Sequence, residues 1–366
     1  MYDNIKNIGI ALSGGGIRAT VFHLGVLKYL AEQNMLGRIV RISSVSGASL
    51  AVGLIYSHNS LKWPTDTDYI ESVLPRVRNV ILKHNIQRIA LSKLLYSPQY
   101  WNKKVNLLSK TIRDYWGIDG NINNLDNIPK WYINCVTFET GKRFRFSQSE
   151  MGDYSIGYLK NPSIPVADAV AASAGYPIAI GTYKLDVDDQ WSESRYSHSI
   201  EQPYQGKHLH LWDGGIYDNL GMESIFKPDN GGQLSDGVDF MVISNASGPI
   251  GYQKHIAGLS IRNLRRLLDI SMDQNRTLRT RTIIDYLKRT QSGVYLYVGR
   301  CAEYIASKSE VNENVKNYLS DVCLPEIVAN SVRDYPTTLS KPTEENFDLI
   351  LRHGYEVAMC TFTCYQ

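Results

Sequence analysis

The chain has 366 residues, 43% of them hydrophobic and 20% charged, with a formal net charge of +3. That balance argues against a disordered chain and a membrane-spanning architecture, and the net charge is too small to announce a nucleic acid or an anionic membrane by itself; no nucleic-acid polymer is expected as partner. Length predicts one enlarged domain, or one domain carrying an extension.

After a polar start, Ile5 to Ser13 is a short apolar run that breaks at Gly14. It is too short for a signal-peptide core or a spanning helix, so the chain is expected to stay in the cytoplasm. Arg18 to Gln33 follows, with Val21, Leu24, Leu27 and Leu30 at helical spacing. Ile39 to Val45 is a second β-branched run, and a Ser-Gly turn leads from it into a small-residue helix through Ile55. A strand-helix-strand-helix start of this kind predicts a buried parallel sheet.

Residues 60–130 are punctuated by Pro64, Pro75 and Pro98 and carry Tyr96, Tyr100 and Trp101, and they are expected to form a mostly helical lid or wall. Tyr132 to Phe138 and Arg143 to Phe146 predict two strands about a turn at Glu139-Thr140-Gly141-Lys142. Ala167 to Ala174 predicts a helix of small residues, stopped at Gly175 with Pro177 beyond. His208 to Trp212 and Asp239 to Ile243 predict further strands. The division falls near residue 248: residues 5–247 are expected to form the catalytic domain, and 248–366 a mostly helical extension packed on it. Within that extension, eight Lys and Arg residues between Arg262 and Arg289 accompany Ile261, Leu264, Leu267, Leu268 and Met272, the pattern of a basic amphipathic helix. Either a solvated face or a surface for anionic headgroups or a phosphate-bearing regulator accounts for it. The five cysteines lack paired CxxC spacing and read as reduced thiols, so no metal is expected.

Three motifs carry chemistry. Leu12-Ser13-Gly14-Gly15-Gly16-Ile17-Arg18 joins a strand to a helix, and consecutive glycines there let backbone N–H groups converge at the positive end of the helix. Such a loop suits a dinucleotide pyrophosphate or the oxyanion of an acyl-transfer intermediate. Gly14, Gly16 and Ala19 satisfy GxGxx[GA], but the second strand ends Ser43-Ser44-Val45-Ser46-Gly47 where a dinucleotide site requires a carboxylate. What that strand offers is a serine on a sharp strand-to-helix turn, the requirement of a nucleophile elbow. Ser44 and Ala48 replace the usual outer glycines, and Ser43, Ser44 and Ser49 compete with Ser46, which is preferred because Gly47 follows it. The third motif, His208-Leu209-His210-Leu211-Trp212-Asp213-Gly214-Gly215, brings an aspartate to a strand end, where an ordinary Asx turn is the rival reading.

In order and spacing, the glycine loop, the elbow serine and the later Asp-Gly-Gly resemble the patatin-like phospholipases of bacterial type, and Asp168 to Pro177 is similar to the small-residue helix and proline turn of that family. The resemblance spans about residues 8 to 247 and implies a three-layer α/β/α fold around a central, mainly parallel sheet. It places the nucleophile at Ser46, the catalytic aspartate at Asp213, and the oxyanion site at Gly14, Gly15 and Gly16 with a basic residue at Arg18. The implied mechanism is a Ser-Asp dyad that needs no histidine, metal or cofactor. The implied activity is hydrolysis of fatty-acyl esters of phospholipids or lysophospholipids at a membrane surface, peripherally at the inner membrane. By analogy it also admits an antiviral defence effector switched by a cyclic nucleotide, and a homo-oligomer. A catalytically silent scaffold that binds lipid or nucleotide is the alternative that the substituted elbow keeps open.

Overall fold

The computed structural model describes residues 5–177, 180–187, 206–255, 257–258 and 260–365. Short apolar runs become strands β1 (Ile8–Leu12), β2 (Ile39–Ser44), β3 (Lys130–Thr137), β4 (Arg143–Phe146), β5 (Glu150–Asp153), β6 (Gly157–Lys160), β7 (Tyr183–Asp186), β8 (His208–Asp213), β9 (Phe226–Lys227), β10 (Gln233–Leu234), β11 (Phe240–Asn245) and β12 (Gly293–Tyr297). Ten of them form one sheet. Its parallel block runs β12-β11-β1-β2-β3, and β4, β5 and β6 continue it antiparallel. The small pair β9–β10 stands apart.

One register decides where chemistry can occur. Ile133 of β3 pairs with Ser44 on one edge and with Phe146 on the other, while Cys135 pairs with Asp213 and with Phe144. β2 and β8 therefore share one edge of β3, with β2 against its first half and β8 antiparallel against its second. The C-terminal ends of β2 and β8 meet head to head there. β8 is antiparallel to its other neighbour β7 as well.

The helices are α1 (Gly16–Glu32), α2 (Gly47–Ser57), α3 (Asp66–Asp68), α4 (Leu74–Lys83), α5 (Ile86–Leu95), α6 (Lys104–Trp116), α7 (Val166–Ser173), α8 (Gly215–Asp218), α9 (Ile261–Thr290), α10 (Ala302–Ser307), α11 (Glu313–Val322), α12 (Glu326–Arg333) and α13 (Glu344–Tyr365). Strand alternation sorts them into layers. Ile8, Ile10, Leu12, Phe240 and Val242 face α1, α2 and α13, whereas Ala11, Met241 and Ile243 face Ile283, Tyr286 and Leu287 of α9. The result is helix, sheet, helix. Residues 60–130 are largely helical. The segment after residue 248 is helical too, except that β12 adds a parallel strand to the sheet. All five cysteines are free and buried, and no metal-binding cluster occurs among the described residues.

Candidate active site

Ser46 sits at the N-cap of α2 with φ 54° and ψ −120°, a left-handed backbone held between β2 and the helix. Strain of this kind persists only where neighbours fix it, and they do. The Ser46 N–H donates to Ser173 Oγ at 3.0 Å, and Ser173 Oγ donates to the Asn134 carbonyl at 2.7 Å. Gly47 allows close approach of the glycine loop, because a Cβ there would lie 2.1 Å from the Gly16 carbonyl oxygen. The missing outer glycines are accommodated. Ser44 is buried, accepts from Trp131 Nε1 at 2.8 Å and bonds Ser49 Oγ at 2.9 Å, while Ala48 packs in the core. Ser43 Oγ donates to the Gly221 carbonyl. Each rival serine is thus fully buried and engaged, and Ser46 alone of the four is partly open to solvent.

Asp213 comes to the same point from β8. Its Oδ1 accepts from the Gly215 N–H at 2.7 Å, and the Ser46 side chain lies near enough to its carboxylate to favour the charged form. Burial pushes its pKa up to about 6, against the opposite pull of the Gly215 and Ser46 hydrogen bonds. A carboxylate so placed is a better base than a solvated one.

The glycine loop divides its labour. The Gly14 N–H donates to the Asn219 carbonyl at 3.1 Å, and the Ile17 N–H to the Thr338 carbonyl at 2.8 Å. Gly14 is therefore spent on holding the loop and is not a donor to an oxyanion. The Gly15 and Gly16 N–H groups have no protein acceptor among the described residues. Both glycines have positive φ, 151° and 61°, and both lie at the N-terminus of α1, whose first turn holds no acidic residue. Arg18 also departs from expectation. It is 2% exposed, and its guanidinium donates to the Ala246 and Tyr335 carbonyls and to Thr337 Oγ1. Burial lowers its pKa to about 10. Arg18 fastens the first turn of α1 to the end of β11 and to the 335–337 segment, a positioning task.

Among the described residues, no histidine joins the pair. His23 is fully buried between Ser244 Oγ and the Ser13 carbonyl, and burial lowers its pKa to about 4. His208 and His210 lie against Asp186 and Glu139, each at 2.7 Å.

Several neighbours carry no local sequence signal. Tyr176 donates its hydroxyl to Asp269 Oδ1 of α9 at 2.7 Å, and Met272 Cε lies 3.1 Å from where a Gly215 Cβ would stand. The first half of α9 thus walls the dyad. Arg276 pairs with Asp273, and Arg279 with Glu223 at 2.8 Å and Asp218 at 3.8 Å. Arg279 thus ties α9 to the Asp218–Glu223 turn, whereas the Arg276 pair lies within the helix. Ser173 lies in the small-residue helix, but its contact with Ser46 depends on tertiary packing.

The family whose description is Patatin-like phospholipase matches residues 10–225, from β1 to the start of the β9–β10 segment. Human GIVD cytosolic phospholipase A2 superposes with a TM-score of 0.55 at 14% identity, over 98% of this chain and 59% of that one. Its complex with methyl gamma-linolenyl fluorophosphonate gives 0.50 at 13% identity, over 98% and 58%. VipD from Legionella pneumophila gives 0.41 at 13%, over 97% and 66%. The chain spans about six-tenths of the length of the human structures, and the likeness to them is one of fold.

Proposed function

The chain belongs to the patatin-like phospholipase family, and from that premise we propose that it is a serine lipid acyl hydrolase working through a Ser46–Asp213 dyad. The observation that carries the reading is the meeting of a positive-φ, partly exposed serine with a buried carboxylate, beside two unspent loop amides. In the first half-reaction Asp213 takes the hydroxyl proton while Ser46 Oγ attacks the ester carbonyl. The Gly15 and Gly16 N–H groups hold the resulting oxyanion, helped by the α1 dipole. Collapse breaks the ester C–O bond, and Asp213 returns the proton to the departing alcohol. Water then repeats the cycle: Asp213 takes its proton, hydroxide attacks the acyl-serine, and fatty acid leaves as Ser46 recovers its hydrogen.

The substrate class follows from the family: fatty-acyl esters of phospholipids or lysophospholipids. On the wider reading, the enzyme acts peripherally at the cytoplasmic face of the inner membrane as a regulated defence effector. Adding cyclic nucleotides to a liposome assay, and measuring mass in solution, tests its activator and oligomer arms. Against the silent-scaffold alternative stands the positive-φ backbone that Ser46 keeps despite the substituted elbow. The direct test is mass spectrometry after treatment with a fluorophosphonate ester. Modification is expected on the Ser46 peptide and on no other serine, and unmodified protein would sink the hydrolase reading.

A further inference from the structure

Charge along this chain is segregated in a way its small net value conceals. Between Glu71 and Asp114 there is no carboxylate but nine Lys and Arg residues, while the remainder carries more carboxylates than cations. The same stretch holds a compact group of apolar side chains in solvent. Leu91 is 58% exposed, Leu95 74%, Tyr96 87% and Trp101 58%. Leu91 and Leu95 are one helical turn apart on α5, hence on one face. Trp101 anchors its Nε1–H on the Leu94 carbonyl at 3.1 Å, which keeps its ring beside that face. Arg88, Lys103 and Lys104 are exposed and have no carboxylate partner among the described residues. Exposed apolar groups of this size are costly in a soluble protein unless something covers them.

We propose that the α5 face, with the Tyr96 to Lys104 segment that follows it, is the surface by which the protein docks on an anionic lipid bilayer. Tyrosine and tryptophan suit the headgroup layer, leucines suit the acyl boundary, and unpaired cations suit anionic lipid. Asp114 is taken up by Lys93 at 3.1 Å, so the patch's unpaired charges are cationic and find no complement in a second copy's equally basic patch. The face is also tied to the catalytic loop. Gln87, at the start of α5, accepts through Oε1 from Thr338 Oγ1 and from the Leu339 N–H, and the Thr338 carbonyl in turn accepts from Ile17 beside Gly16. A bilayer held at α5 is thereby joined by hydrogen bonds to the loop that receives the oxyanion. This assignment rests on the lipid-hydrolase reading for its purpose, but not for its test.

The test uses full-length protein carrying Ser46→Ala, so that lipid is not consumed, floated with phosphatidylcholine vesicles made with or without phosphatidylserine. Binding is expected only with phosphatidylserine, and is expected to weaken as salt rises. Lys103→Gln with Lys104→Gln is expected to weaken it about thirtyfold. Leu95→Ser with Tyr96→Ser and Trp101→Ser is expected to weaken it more than tenfold. Leu264→Ser with Leu267→Ser, on the exposed side of α9, serves as comparison and is expected to bind as before. Indifference to phosphatidylserine, undiminished binding by both α5 variants, or loss confined to the α9 variant would each overturn the assignment. With Ser46 restored, the α5 variants are expected to keep wild-type turnover of a soluble short-chain ester and wild-type fluorophosphonate labelling. Failure of labelling in the parent protein would remove the hydrolase reading and leave the vesicle result standing.

Discussion

At the scale of single residues, Asp213 must reconcile two demands. It has to be charged to take a proton, yet it is buried, and burial raises its pKa from 3.8 to about 6. Hydrolysis of a soluble ester should therefore fall about tenfold per pH unit below pH 6 and level off above it, since only the carboxylate form can act. A profile flat down to pH 4.5, measured as kcat/KM, would remove Asp213 as the base. The same shift has a stability consequence of definite sign. A carboxyl whose folded pKa is raised favours folding below its unfolded pKa, and that contribution is lost as pH rises through about 6. The loss at pH 8 is on the order of 3 kcal/mol. Asp213→Asn keeps an acceptor for the Gly215 N–H and carries no charge, so it should be inactive yet more stable than wild type at pH 8. The difference should vanish near pH 4. Equal denaturation midpoints at pH 8 would mean that the carboxylate is better solvated than its burial implies.

At the scale of elements, the three motifs were legible because each is a local necessity: glycines for converging amides, a glycine after the nucleophile, an aspartate beside its own turn. Their assembly was not. That β8 runs antiparallel against the second half of β3 depends on pairings between residues far apart in sequence, and β8 by itself reads the same in either direction. Gly14 and Arg18 fall in the right loop, but their hydrogen bonds go to Asn219, Ala246 and the 335–337 segment, which no spacing rule foretells. Ser173 is the clearest such case. Its hydroxyl, itself fully buried, accepts from the strained Ser46 amide, bonds Ser49 Oγ and donates to the Asn134 carbonyl. Ser173→Ala removes the bonds to the Ser46 N–H and the Asn134 carbonyl, while Ser49 keeps Ser44, a loss of about 2 kcal/mol, and should lower kcat more than it raises KM because the elbow relaxes. Ser173→Thr, which restores the hydroxyl, should recover part of the loss. If Ser173→Ala loses stability and keeps full kcat, the residue only packs.

At the scale of the whole molecule, the oxyanion loop is only as well placed as α1, and α1 is held by the far end of the chain. Fifteen of its seventeen residues are buried, many against α13. The two helices cross at glycines: a Cβ on Gly25 would lie 2.0 Å from the Leu351 carbonyl oxygen, and one on Gly354 2.1 Å from that of Phe22. Backbone this close cannot yield by a rotamer change, so even alanine must push the helices apart. Gly25→Ala and Gly354→Ala are each expected to cost on the order of 3 kcal/mol or more. Fluorophosphonate labelling of Ser46 should fall with them, because the N-terminus of α1 moves. Gly37→Ala, with nothing within 4 Å of its Cβ position, is the matched control and should change neither. The same packing bears on the division near residue 248. A chain ending at Ser247 loses β12 from the sheet edge and α13 from α1, exposing the Val357 and Phe362 partners of the core. Such a fragment should be insoluble or molten, with no cooperative unfolding transition, whereas two independent domains would each survive the cut. A soluble 1–247 fragment that still labels at Ser46 would show that the catalytic core closes without its C-terminal helix and that the glycine crossing is dispensable.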